Sequence, residues 1–208
     1  MNTAQSQSNN NAVLICFGVW LVGLVWSGWA PYDRATWWME VAPALLAAPV
    51  LWFTRRDLPL SKLVLFFITL HGLVLMLGGA YTYARVPLGF EIQHWLGLHR
   101  NPYDKIGHFM QGFVPALVCR EILLTTVAVK GRKMAAFLSI CVAMAISACY
   151  ELVEWGAALA MGQGADEFLG TQGDPWDTQS DMFFALIGSM VAMLALTRLQ
   201  DRFIQKSG

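Results

Sequence analysis

The chain of 208 residues has little charge: Asp, Glu, Lys and Arg make up 13% of it, about half the fraction expected of a soluble globular domain. This scarcity excludes most cytosolic enzymes. The chain also lacks a charge excess, because 14 basic residues balance 14 acidic ones, so binding to nucleic acid is not expected. No two of its four cysteines form a C-x-x-C pair. The cysteines therefore indicate neither a disulfide framework nor a thiolate metal site.

What the chain has instead is long apolar runs, since 56% of its residues are hydrophobic. These residues fall in six blocks of 17–28 residues, and a helix needs roughly 17–25 residues to cross a bilayer. The blocks are residues 13–29, 37–53, 63–83, 106–129, 134–161 and 179–196. We therefore predict an all-α integral membrane protein with six transmembrane helices. Residues 1–12 are predicted to be a disordered cytoplasmic tail, and residues 13–208 a single six-helix transmembrane domain.

The basic residues are shared unequally between the two ends of these spans. With six spans, nine of them fall on one side, and the positive-inside rule then places both termini in the cytoplasm. These nine are Arg55, Arg56, Lys62, Lys130, Arg132, Lys133, Arg198, Arg202 and Lys206. On the opposite side, apolar residues recur at helical spacing around Glu91 and His94. This pattern predicts a short helix in the outer interface before span four.

Ionisable residues within the spans concentrate in the second half of the chain, where each needs a partner or a purpose because lipid penalises charge. Residues three or four apart share one face of a helix. The spacing therefore predicts three polar faces on the last three spans, formed by Asp104, His108 and Gln111, by Glu151 and Glu154, and by Asp177 and Asp181. We expect these faces to enclose one site that is open to the periplasm.

A divalent metal, Mg²⁺, Mn²⁺ or Zn²⁺, is one interpretation of this site, because carboxylates and imidazole are its common ligands. The predicted metal ligands are His108, Glu154, Asp177 and Asp181. A proton-sharing polar core and unrelated local pairings are the alternatives. Glu151 and Glu154 cannot both ionise cheaply in a low dielectric unless a cation lies between them. An ion pair between Arg120 and Glu151 that joins two helices is therefore also considered.

Two functions from different classes fit this pattern. The first is a metal-assisted hydrolase or transferase for a lipid or lipid-linked head group, with His108, Glu151 and Glu154 as its catalytic residues. Further contacts with the substrate or the outer loop are expected from Asp104, Lys105, Gln111, Arg120, Gln172, Asp174 and Trp176. The second is a non-catalytic membrane carrier or envelope-binding protein. A lateral opening to lipid would favour the enzyme, and a continuous polar path past Glu151 and Arg120 would favour transport.

Four stretches resemble the YjdF-type family of bacterial inner-membrane proteins: RNPYDKIGHF at 100–109, QGFVPA at 111–116, YELVEW at 150–155 and GTQGDPWDTQ at 170–179. The resemblance covers most of residues 1–205 and implies a multi-pass protein of the bacterial inner membrane. It implies no activity, because that family has none established.

A more distant similarity is to the VanZ-like family, which is linked to glycopeptide resistance. It rests on the pattern D-K-x-x-H-F at 104–109, a Glu on the next span, and Asp181 before the glycine-bearing stretch with Gly188. In that family a polar residue follows the last acid, whereas apolar side chains such as Ala185 stand here. The similarity therefore does not carry any shared chemistry over to this chain.

Overall fold

The computed structural model describes residues 3–161 and 172–207, and all regular structure in these ranges is helical. Successive helices pack into a bundle and are joined by short connections. They are α1 (Thr3–Trp29), α2 (Arg34–Thr54), α3 (Lys62–Ala80), α4 (Pro87–Leu96), α5 (Tyr103–Thr125), α6 (Arg132–Met161), α7 (Asp177–Val191) and α8 (Thr197–Ser207), with the π-helical segment Ala192–Leu196 between α7 and α8. The predicted all-α class is confirmed.

Within the described residues, five helical stretches are long and apolar enough to cross a membrane: Asn10–Trp29, Arg34–Thr54, Lys62–Ala80, Arg132–Ala160 and Asp177–Ile204. Helix α5 is not one of them, because its charged residues together with His108 and Gln111 lower its hydropathy. Its 23 residues nevertheless correspond to about 35 Å of helix. Six spans, with α5 as the additional crossing, and cytoplasmic termini stay predictions. A helix is present at α4 where one was expected, and its placement in the membrane interface stays a prediction as well.

Helical structure extends beyond the predicted spans at both ends of the described residues. Helix α1 begins at Thr3, within the tail expected to be disordered, because a helix already nucleated by an apolar span extends into polar residues at little cost. The last span was expected to end at residue 196, but the helix continues through the π-helical segment to Ser207. Helix α8 continues because it packs against α3 and α5. The division into a tail and a single domain otherwise stays a prediction.

Helices α5 and α7 approach each other closely through residues that lack side chains. A Cβ atom at Gly112 would lie 1.8 Å from the carbonyl oxygen of Ala185, and one at Gly188 would lie 2.0 Å from the carbonyl oxygen of Phe109. Small residues allow such close backbone packing between membrane helices. The contact places the acidic first turns of α7 beside the first turns of α5.

The bundle has two groups of helices that α3 joins. Helices α1, α2 and α3 pack around Trp20, Val41 and Met76. Helices α5, α6 and α7 pack on one another, and α3 also packs on α5. Helices α2 and α6 are not a closely packed pair in the part of the chain that the structure describes. A cavity lies between the two groups.

Candidate functional site

Asp104, His108 and Asp181 form a compact buried cluster near the N-terminal ends of α5 and α7. Asp104 and His108 are one turn apart on α5 and therefore share a face. His108 Nε2 lies 3.3 Å from Asp104 Oδ1 and 3.7 Å from Asp181 Oδ1. One ligand atom from each residue lies within 4.8 Å of the others, a spacing that could hold a metal ion.

The second ring nitrogen of His108 faces Gln111 and Glu151. His108 Nδ1 lies 2.9 Å from Gln111 Oε1 and 3.8 Å from Glu151 Oε1. This Glu151 oxygen is buried and has no hydrogen-bond partner in the described part of the chain. A buried carboxylate oxygen without a partner is unfavourable, so a cation or a proton at this position would stabilise it.

Two basic residues neutralise part of the acidic charge. Lys105 Nζ lies 2.7 Å from Asp177 Oδ1 and 2.6 Å from Asp181 Oδ1. Arg100 Nη2 lies 2.6 Å from Asp177 Oδ1 and 3.2 Å from Asp174 Oδ2. Partial burial acts to lower the pKa of Arg100, but the hydrogen bond and the charge of Asp177 together raise this pKa above its ordinary value. Asp177 is therefore held between two cations.

The four predicted metal ligands are only partly together. His108 and Asp181 belong to the cluster with Asp104, whereas Asp177 is bound by Lys105 and Arg100. Glu154 lies one turn beyond Glu151 on α6 and lines the adjoining cavity. Helical spacing predicts which face a carboxylate is on, but not which carboxylate is nearest to the imidazole. The assignment of metal ligands and catalytic residues stays a prediction.

The segment before α7 is fastened to the start of α5. The backbone N–H of Asn101 donates to Gln172 Oε1 at 3.2 Å, and Gln172 Nε2 donates to the Asn101 carbonyl oxygen at 3.0 Å. The backbone N–H of Trp176 donates to Asp174 Oδ1, and the Trp176 ring is exposed. The predicted loop residues Gln172 and Asp174 are thus joined to Asn101 and Arg100, just before α5. The loop motif also includes residues 170 and 171, which lie outside the described residues.

A cavity of about 550 Å³ adjoins the cluster between α2, α3, α5 and α6. Its polar lining includes Asp104, His108 and Gln111 from α5 and Tyr150 and Glu154 from α6. Most of the remaining lining is apolar, and it extends to Thr54 at the end of α2 and to Ile122 on α5. The predicted site residues therefore stand at one end of a long, mainly apolar space.

Glu40 on α2 is a site residue that the sequence interpretation did not select. Its side chain is 6% exposed and lines the cavity together with Tyr150 and Glu154. It interacts with Tyr150 and, electrostatically, with Asp104. Glu40 could have been selected because it is an acidic residue within an otherwise apolar span, where a charge is unfavourable without a partner. Tyr150 carried no comparable signal, since a tyrosine in a membrane helix is common.

Arg120 does not pair with Glu151, so that interpretation is wrong. Arg120 Nη1 lies 2.8 Å from Gln200 Oε1, and Nη2 lies 2.7 Å from Asp201 Oδ1. His108, which contacts Glu151, is twelve residues earlier on α5, or about 18 Å away along the helix. The interpretation failed because span six was predicted to end before Asp201, which left Arg120 without its true partner.

A second polar network closes this opposite end of the bundle. The backbone N–H and the hydroxyl of Ser61 both donate to the Glu121 carboxylate. Gln200 Nε2 donates to the Leu117 carbonyl oxygen at 2.8 Å and to Glu121 Oε2 at 3.3 Å. The network fastens the connection before α3 and the start of α8 to the C-terminal half of α5.

The chain belongs to the family described as "Predicted membrane protein (DUF2238)", which matches residues 12–202. It is 58% identical over 185 residues to "Inner membrane protein YjdF" of Escherichia coli (strain K12), an alignment that covers 89% of this chain and 88% of that protein. No solved structure matches. The matches and the apolar helices confirm a multi-pass protein of the inner membrane within the YjdF family. The similarity to the VanZ-like family stays a prediction.

Proposed function

We propose that this member of the DUF2238 family is a metal-assisted hydrolase or transferase for the head group of a lipid at the outer leaflet of the inner membrane. The observation that carries the proposal is the cluster of Asp104, His108 and Asp181, whose ligand atoms lie within 4.8 Å of one another. Two carboxylates and an imidazole suit Mg²⁺, Mn²⁺ or Zn²⁺.

The charge balance of the cluster also fits a divalent cation. Asp104, Asp181 and Glu151 surround the His108 ring, and Lys105 contacts Asp104 and Asp181. Three carboxylates at such short range repel one another in a low dielectric. The buried Glu151 Oε1 also lacks a hydrogen-bond partner among the described residues. A divalent cation would supply the positive charge that the side chains around these carboxylates do not provide.

The residues of the cluster can divide the chemical work. A bound divalent cation would activate a water molecule and polarise an oxygen of the head group. With His108 Nε2 facing Asp104 and Asp181 as a ligand of the ion, the general base would be Glu151, whose carboxylate lies 3.8 Å from the other ring nitrogen, Nδ1. Gln111 contacts His108 Nδ1 and thereby orients the ring. Lys105 and Arg100 hold the start of α7 in place through Asp177.

The carrier is the alternative function, and it would require a polar path through the bundle. Arg120 lies at the opposite end of α5 from the cluster and is bonded to α8. Between the two ends, α5 presents apolar residues such as Val114 and Val118 to the cavity. This arrangement favours chemistry on a lipid over transport of a polar solute. An envelope-binding protein stays the second candidate.

The first test is metal binding by the purified protein. After treatment with a chelator, Mg²⁺, Mn²⁺ and Zn²⁺ are titrated by calorimetry, and bound metal is measured by elemental analysis. We expect one ion per chain. The variants His108→Ala and Asp181→Asn should lower the affinity by roughly 100-fold or more, since loss of an outer-shell partner alone costs about 10- to 100-fold.

Glu91→Gln is the control variant, because Glu91 is exposed on α4 and outside the cluster. It should bind the ion as the wild type does. If the wild type binds no stoichiometric ion, or if His108→Ala and Asp181→Asn bind it with unchanged affinity, the metal-assisted mechanism is wrong.

A further inference from the structure

We infer that the cavity beside His108 is the groove for one acyl chain of a glycerophospholipid, which enters it from the bilayer between α2 and α6. This inference rests on the proposed function and names the class of its substrate. The chain would occupy the apolar part of the groove, and the ester and phosphate groups would reach the Asp104, His108 and Asp181 cluster.

The groove is long enough to hold an acyl chain. Its lining extends over fifteen residues of α2, from Glu40 to Thr54, and over twenty residues of α5, from Asp104 to Leu123, which is about 21 Å and about 28 Å of helix. The hydrocarbon of one leaflet is about 15 Å thick. The volume of about 550 Å³ is in the range of ligand pockets, roughly 300–1,000 Å³. The much longer isoprenoid chain of a lipid-linked sugar exceeds this space.

The groove opens toward the bilayer. Val50 on α2 and Val142 and Ile146 on α6 all line it, yet they are 62%, 42% and 42% exposed. Helices α2 and α6 are both long and apolar enough to span the membrane. They are not closely packed on each other in the described ranges. Apolar side chains that both line the groove and face outward give a hydrocarbon chain a direct route from the lipid.

The wall of the groove is polar at one end and apolar along the rest, just as a phospholipid has a polar head group and an apolar acyl chain. Glu40, Asp104, His108 and Glu154 line the end beside the cluster. Apolar residues such as Leu51, Leu75 and Leu123 line much of the rest. An acyl chain needs no hydrogen bonds from such a wall, whereas a polar solute would lose its hydration without replacement.

The far end of the groove is bounded by the connection between α2 and α3. Leu58 and Leu60 of this connection line the groove. The next residue, Ser61, is fixed by its two hydrogen bonds to Glu121. A structured end opposite the polar cluster limits how far a chain can extend.

The test uses the full chain in nanodiscs that contain a phosphatidylethanolamine with a photoactivatable diazirine on one acyl chain. Labelled positions are mapped by mass spectrometry. We expect labels on groove residues such as Val118, Val142 and Ile146. Ala47→Trp on α2 and Ile146→Trp on α6 should each lower labelling of the other groove residues roughly tenfold, because both positions line the groove.

Leu46→Trp and Ala145→Trp are matched controls, since each neighbours a groove residue and is exposed but does not line the groove. They should label as the wild type does. Labels spread evenly over the exposed apolar surface and unchanged by both groove variants would overturn the inference. So would stronger labelling by an isoprenyl phosphate that carries the same diazirine.

Two further measurements separate this inference from the metal site. Chelated protein and Asp181→Asn should still be labelled in the groove, since the acyl chain contacts other residues. Ala47→Trp should still bind the divalent ion with wild-type affinity. A wild-type protein that is labelled in the groove but binds no stoichiometric ion would refute the metal-assisted mechanism alone. Intact metal binding without groove labelling would refute the acyl-chain site alone.

Discussion

Lys105 is the residue that joins the two acidic helix ends of the cluster. Its side chain is 10% exposed, and its ammonium group contacts Asp177 at 2.7 Å and Asp181 at 2.6 Å. It also lies 3.4 Å from the neighbouring Asp104. Removing one partner of a buried ion pair leaves the other charge buried and uncompensated. The free energy of unfolding then falls by far more than the intact pair contributes to it. Lys105 should therefore be the most sensitive single position of the cluster.

We predict that Lys105→Met lowers the free energy of unfolding by about 3–5 kcal/mol, because Asp177 and Asp181 lose their shared ammonium group. Thermal unfolding in detergent, followed by circular dichroism, measures the change. Lys105→Arg keeps the charge and should lose much less stability. Equal stability of the wild type and Lys105→Met would contradict the role assigned to this ion-pair network.

At the scale of the elements, the close contact between α5 and α7 fixes the position of one helix along the other and so the distances within the site. The glycines Gly112 and Gly188 allow the two backbones to approach, and this approach brings Asp181 to within 3.7 Å of His108. A shift of α7 along or away from α5 would therefore separate the ligand atoms. The site therefore forms only when the small residues of α5 and α7 pack closely.

We predict that Gly188→Ala destabilises the protein by about 1–3 kcal/mol, the usual effect of overpacking. Its Cβ atom would lie 2.0 Å from the Phe109 carbonyl oxygen, so the helices must separate. Divalent-ion affinity should fall with the stability, and chemical unfolding and calorimetry measure the two quantities.

Gly156→Ala is the matched control for this substitution, because nothing lies within 4 Å of a Cβ atom at Gly156 on α6. It should be neutral or stabilise the protein by about 0.5–1 kcal/mol, as expected where Ala replaces Gly within a helix. Equal effects at the two glycines would show that the α5–α7 contact is not as close as described.

For the whole molecule, the main feature is the cavity that lies between two groups of helices. Helix α3 packs on both α2 and α5 and so connects the groups. The polar cluster lies near the start of α5, and the Arg120 network lies near its other end. If α5 crosses the membrane, the cluster and the network lie near opposite surfaces. The proposed outer-leaflet chemistry depends on this crossing.

We predict that α5 crosses the membrane, so that α4 and the connection between α5 and α6 lie on opposite sides. Single cysteines at Glu91 and Lys130, in a variant without the four native cysteines, are treated with an impermeant maleimide in intact cells. The label should reach Glu91→Cys directly and Lys130→Cys only after the cells are permeabilised, as the positive-inside rule requires. Labelling of both positions from the outside would exclude the crossing by α5.

The sequence by itself determined the all-α class and the membrane location, and it predicted the region of the site. Apolar runs of spanning length are a local property, and a backbone in lipid has few other ways to satisfy its hydrogen bonds. His108, Glu151 and Asp181 were found because ionisable residues in such runs are unfavourable without a partner. Their spacing also predicted that they face one another, since the period of a helix defines its faces, and in the structure His108 lies 3.8 Å from Glu151 and 3.7 Å from Asp181.

Only the tertiary structure decided which side chains meet. It bound Asp177 to Lys105 and Arg100 instead of placing it beside His108, brought Glu40 to the cavity from a distant helix, and paired Arg120 with Asp201. The period of a helix defines the direction of a side chain but not the position of one helix along its neighbour. That position depends on close packing, as at Gly112 and Gly188, and on where each helix ends, which hydropathy locates only to within a few residues.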